Sequence, residues 1–100
     1  MQFARVIGTC VCTTKDKKLP REKLLVIQPV DLTFKQPKGG PLVAIDVVGA
    51  GEGELVLFVS GSSARQTTIT ENKPTDCTIM AIVDYVEKDG KIIFSKEKDV

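Results

Sequence analysis

The feature that most constrains this chain is a glycine-rich loop set between two apolar runs. Val43-Ala44-Ile45-Asp46-Val47-Val48 leads into Gly49-Ala50-Gly51-Glu52-Gly53-Glu54, and Leu55-Val56-Leu57-Phe58-Val59 comes immediately after. Glycines after an apolar strand imitate a dinucleotide-binding loop. That fold requires a helix next, so that the pyrophosphate rests on the helix N-terminus. Here the next segment is short, β-branched and aromatic, which reads as a second strand. The glycines are therefore expected to make a tight strand-to-strand turn rather than a phosphate cradle. A small nucleotide-binding enzyme is a third functional reading, which would rest on this loop alone.

The rest of the chain punctuates in the same way. Strands are expected over 2–14, 23–32, 42–48, 54–60 and 78–86, with a last short one over 92–94. Pro29 near the end of the second implies an edge or a bulge. Gln36-Pro37-Lys38-Gly39-Gly40-Pro41 is a loop signal, and Lys88-Asp89-Gly90-Lys91 carries the Asp-Gly hairpin signature. A charged turn spans 15–20 and a polar loop 70–76. A short helix is expected over 61–67, capped by Ser62 or Ser63. Residues 1–95 then form one β domain, and 96–100 a charged, mobile tail. Five or six strands at this spacing predict a small closed or nearly closed barrel. The runs around the glycine loop are apolar at nearly every position, whereas a barrel strand with one wet face should alternate. Their outer face is expected to be covered by a partner subunit.

Composition narrows the chemistry. With 14 basic and 13 acidic residues the net charge is +1, which leaves no electrostatic footprint for nucleic acid or an anionic membrane. No apolar run approaches the roughly 20 residues of a membrane helix. The N-terminal segment has no signal-peptide order, so a cytoplasmic location is expected. The chain has no histidine, which removes serine–histidine and cysteine–histidine catalysis. Cys10, Cys12 and Cys77 are an odd number in a Cys-x-Cys pattern without a zinc-site partner, and are expected to be small buried hydrophobes rather than metal or redox groups. Asp46, Glu52, Glu54, Asp76 and Asp84 are expected to cap turns or form ion pairs. Arg65 is expected to pair with a carboxylate such as Glu54 or Asp76 across an interface. No catalytic, cofactor-binding or metal site is predicted.

A five-stranded barrel also raises binding of single-stranded nucleic acid, which requires aromatic stacking platforms on a basic groove. Only Phe34, near Lys35 and Lys38, has that setting, while Phe58 reads as core. An OB-type nucleic-acid-binding module is kept as the alternative function.

The whole pattern resembles the bacterial microcompartment vertex family of the EutN/CcmL type. The resemblance is carried by Ala4-Arg5-Val6-Ile7-Gly8-Thr9, by Lys23 to Pro29, most sharply by Val43 to Glu54, by Gly61-Ser62-Ser63-Ala64-Arg65, and by Pro74 to Ile79 with Ile82-Val83-Asp84. It implies a mainly β, OB-like five-stranded barrel with one short helix that assembles as a cyclic homopentamer. It implies a non-enzymatic shell protein without cofactor, closing the five-fold corners of a polyhedral compartment whose facets are hexameric shell proteins. It also places Gly49, Ala50, Gly51, Gly53 and Glu54 at a turn and subunit interface, and Ser62, Ser63, Ala64 and Arg65 at the interface or the central pore.

Overall fold

Alternating side chains build the barrel wall. The computed structural model describes residues 1–13, 23–31, 33, 36–61 and 77–99. Five strands, β1 (Gln2–Cys10), β2 (Leu24–Pro29), β3 (Leu42–Asp46), β4 (Leu55–Ser60) and β5 (Cys77–Ile82), close into a barrel of order β1-β2-β3-β5-β4. All neighbours are antiparallel except β3 and β5, which run parallel through Ile45↔Thr78 and Asp46↔Ile79. This is the strand order of an OB-like barrel.

Positions two apart send Ala4 and Val6, Leu25 and Ile27, and Val56 and Phe58 inward, where they pack with Ala44, Cys77 and Ile79. Each fully buried Val, Leu, Ile or Phe in such a core contributes about 1.5–3 kcal/mol. Pro29 ends β2 beyond the last β3 partner, Ile27↔Leu42, so its missing N–H interrupts no ladder bond to β3. A bulge does fall on the β1–β2 pair, at Ile7 between the pairs Val6↔Ile27 and Gly8↔Val26.

Several sequence expectations need correction. The strand expected over 78–86 is two strands. Val83 donates its N–H to Leu55 O, the chain leaves the barrel at Asp84, and β6 (Tyr85–Lys88) pairs with β7 (Lys91–Ser95) in a separate two-stranded sheet. The outer face of β4 is covered by this hairpin of the same chain, not by a partner alone. Leu55, Val83, Phe94 and Val30 form a second buried cluster, with Phe3, Leu57 and Val86 packed against it. Among the apolar strands around the glycine loop, the uncovered part lies on β3 and just beyond its end, at Leu42, Val43 and Val48.

The chain then enters a helical turn, α1 (Lys96–Asp99). The helix expected over 61–67 falls, apart from Gly61, outside the described residues, as do the turn over 15–20 and the loop over 70–76. Of the cysteines, Cys77 is buried as expected. Cys12 is exposed and Cys10 only half-buried, because β1 ends at Cys10 and Cys12 lies beyond it.

Candidate functional site

The glycine segment does not join neighbouring strands. Because β5 lies between β3 and β4, residues 47–54 must carry the chain across the barrel from one wall to another. A crossing segment cannot satisfy its backbone by pairing with a hairpin partner, so its amides and carbonyls find other groups.

Asp46 begins the turn. It is 7% exposed, and its Oδ1 accepts hydrogen bonds from Val48 N–H and Gly49 N–H, each at 3.0 Å. An aspartate side chain closing onto the amides two and three residues on is the Asx-turn habit of this residue type. Gly49 has φ +79°, in the left-handed region that glycine enters without steric cost. Ala50 then points into the barrel with no exposed surface and joins the core cluster of Ala4, Val6 and Phe58. Its carbonyl accepts a 2.9 Å bond from Lys23 Nζ.

The second half is a tighter turn. Glu54 N–H donates to Gly51 O at 3.2 Å, with Gly53 at φ +88° in the third position, as a type II turn demands. Glu54 Oε1 accepts from Gly51 N–H at 2.7 Å, and its Oε2 lies 2.8 Å from Lys96 Nζ. The turn is sewn to β1 by Gly53 N–H to Val6 O (2.9 Å), by Val6 N–H to Glu54 O (3.0 Å) and by Arg5 Nη1 to Gly53 O (3.0 Å). The Arg5 guanidinium carbon also sits 5.5 Å from the ring centre of Phe94, a cation–π distance. Arg5 and Glu54 therefore tie the glycine turn to the C-terminal hairpin and helix.

The electrostatics reflect these partners. The hydrogen bond from Lys96, then that from Gly51 N–H, hold the Glu54 carboxyl below its ordinary range, while the Glu54 hydrogen bond holds the Lys96 ammonium above its own. A phosphate cradle needs free amides. Here the amides of residues 48, 49, 51 and 53 are committed to Asp46, Glu54 and Val6, so the nucleotide reading loses its structural basis.

The sequence-predicted residues divide accordingly. Gly49, Gly51, Gly53 and Glu54 line one turn. Ala50, grouped with them as an interface residue, is instead buried in the core of its own barrel. Ser62, Ser63, Ala64 and Arg65 lie outside the described residues, and so does Asp76. The capping role expected of the carboxylates holds for Asp46 and Glu54. Arg5, Lys23 and Lys96 were not among the predicted site residues, since nothing in linear spacing joins them to a turn 27 to 48 positions away. Among the described residues no group of three or more His, Cys, Asp or Glu side chains is arranged to hold a metal ion, and no helix is long and apolar enough to cross a membrane. Phe58 and Phe94 are buried and Phe3 packs beneath the hairpin, so these rings offer no stacking platform. Phe34 lies outside the described residues.

A small OB-like barrel with its glycine turn locked onto its own wall and apolar surface left on β3 defines the class, a compact OB-like β protein. The chain belongs to the EutN/CcmL family: the family model for "Ethanolamine utilisation protein EutN/carboxysome" matches residues 1–84. It is 46% identical over 96 residues to the bacterial microcompartment shell vertex protein EutN of Salmonella typhimurium, covering 96% of each chain. It superposes on CcmL of Gloeobacter violaceus with a TM-score of 0.90 at 40% identity, over 98% of this chain and 100% of that one. The GrpN pentameric microcompartment shell protein of Rhodospirillum rubrum matches with a TM-score of 0.75 at 41% identity, over 88% and 100%.

Proposed function

We propose that this chain is a structural, non-catalytic vertex subunit of a bacterial microcompartment shell in the cytoplasm. Five copies form a ring that closes a five-fold corner, and hexameric shell proteins supply the facets around it. The observation that carries this reading is end-to-end likeness to shell vertex proteins, including one described as pentameric, at 40% identity or more. The physics agrees. Five identical subunits can close only through a head-to-tail contact in which two different surfaces of each copy meet. The shell takes neither nucleic acid nor a cofactor into this barrel.

In this reading Gly49, Gly51, Gly53 and Glu54 form the turn beside the subunit contact, and Ala50 anchors that turn from inside. Ser62, Ser63, Ala64 and Arg65 are the axial or interface residues. Native mass spectrometry at micromolar concentration is expected to give a five-subunit species. A clean monomer would remove the proposal. Salt-sensitive binding of single-stranded oligonucleotides, read by fluorescence anisotropy, would favour the nucleic-acid alternative instead.

A further inference from the structure

The Cys-x-Cys motif at the end of β1 has no role in the shell function, and the structure moves it out of the core. Cys10 is the last residue of β1 and pairs with Leu24, two positions on from the pair Gly8↔Val26. Leu25 and Ile27 point into the barrel, so Leu24 and Val26, with their partners Cys10 and Gly8, face outward. The chain then runs through residues 11–13 with no turn or bend, and Val11 is 91% exposed. Positions two apart on an extended chain share a side, which sets Cys12 beside Cys10. Cys10 is half-buried, Cys12 is exposed, and both thiols are free. Cys77, by contrast, packs in the core cluster.

The spacing decides what such a pair can hold. A disulfide needs its Cβ atoms about 3.8 Å apart. Alternate positions on an extended chain lie about 6.6 Å apart, two rises of about 3.3 Å. A direct S–S bond would therefore require the backbone to double back between Cys10 and Cys12. An ion between the sulfurs removes that demand. Two in-line thiolate–metal bonds of about 2.3 Å each, the zinc–sulfur length, part the sulfurs by about 4.6 Å. Side chains leaning slightly toward each other span that distance from their own positions. The donor set then selects the ion. The chain has no histidine, and among the described residues no third Cys, Asp or Glu joins these two in a cluster able to hold a metal. Zinc takes four ligands, and calcium and magnesium take six or more, all oxygen. Two thiolates alone suit a soft ion of low coordination number, and Cu(I) is the one that thiolates favour.

We infer that Cys10 and Cys12 form a surface site for one Cu(I) ion, held between their two Sγ atoms where β1 leaves the barrel. Binding releases the two thiol protons to solvent and leaves a bis-thiolate complex with one net negative charge. Copper enters and stays as Cu(I), so no electron is transferred. The exposure of Val11 and Cys12 leaves the approach open. The site goes beyond the shell function and is independent of it: both ligands come from one chain and lie outside the core, so loading leaves the subunit fold and its assembly unchanged.

Competition for Cu(I) tests the site. The full chain, reduced and held under argon, is titrated with Cu(I) in the presence of bicinchoninate, whose coloured copper complex reports the ion that the protein fails to take. One Cu(I) per chain is expected to move to the protein. Cys10→Ser and Cys12→Ser are each expected to lose that equivalent, while Cys77→Ser keeps it, with circular dichroism checking that each variant is folded. Cys12→Ser carries the decision, since its position is exposed. A parent chain that takes no Cu(I), or a Cys12→Ser variant that binds like the parent, would overturn the inference. X-ray absorption at the copper edge is expected to show two sulfur neighbours. Three or more would mean that ligands are borrowed from elsewhere, and would overturn the two-thiolate site. Native mass spectrometry of the loaded protein separates this site from the shell reading. A five-subunit species without copper would leave the ring standing and remove the site, and a copper-loaded monomer would do the reverse.

Discussion

Two of the glycine turns in this barrel protein do opposite jobs. The Asp89-Gly90 turn joins adjacent antiparallel strands, and its φ values of 54° and 76° are the paired left-handed conformations of a type I′ hairpin. Everything it needs is local. The Gly49–Gly53 turn spans strands that are not neighbours. It is held by Asp46 at its start, Lys23 just before β2, Arg5 and Val6 from β1, and Lys96 from α1. A turn that matches strand twist forms from its own dipeptide. A turn that crosses a barrel must borrow partners from the rest of the chain.

That contrast yields predictions of decreasing size. Asp46→Ala leaves two turn amides without their acceptor at a buried position, and is expected to cost about 2 kcal/mol in urea unfolding. A loss below half of that would mean the crossing turn does not depend on its first residue. Gly53→Ala and Gly90→Ala both place a side chain in the left-handed region, and each is expected to cost about 1 kcal/mol. A Cβ meets nothing within 4 Å at either site, so the cost is conformational. Gly51 has no such φ, and a Cβ there lies 3.5 Å from Glu54 Oε1, an ordinary contact. Gly51→Val is therefore expected to disturb ring assembly more than subunit stability. A variant that still elutes as a pentamer would show that this turn lies away from the subunit contact.

The smallest effect is on the tie between the two regions. The depressed Glu54 contributes stability at pH above its unfolded value of about 4.3, and this is lost as pH falls through its lower folded value. The raised Lys96 contributes below about pH 10.4, and this is lost as pH rises through its higher folded value. Lys96→Met is expected to lower the melting temperature slightly near neutral pH, less so at high salt, and to have no effect at pH 2. An equal effect at pH 2 would mean that Lys96 acts through packing, not charge.

Much of the fold was legible because its signals are short-range. The strand cores of β1 to β5, the Asp-Gly hairpin, the break at Gly39-Gly40-Pro41 and the strand after the glycine loop all arise from residues within a few positions of one another. Phe58 as core and Asp46 and Glu54 as turn caps came from residue type and setting. The site was less legible. Ala50 reads as one small residue among glycines, and only the path of the crossing turn drives it into the core. The division of 78–86 into two strands also escaped, since Val83-Asp84 carries neither glycine nor proline. Its break comes from Val83 bonding to Leu55 O while Asp84 O accepts from Lys96 N–H.

The amino-acid order by itself determined a small, nearly neutral β protein with glycine-hinged turns, since alternation, turn chemistry and charge balance are read from neighbouring residues. Tertiary structure alone decided that β5 separates β3 from β4, that the chain's own hairpin covers β4, and that a one-residue bulge in β7 turns Ile92 outward. These depend on which distant strands meet and in what register, and register is a property of pairs of segments that neither segment carries alone.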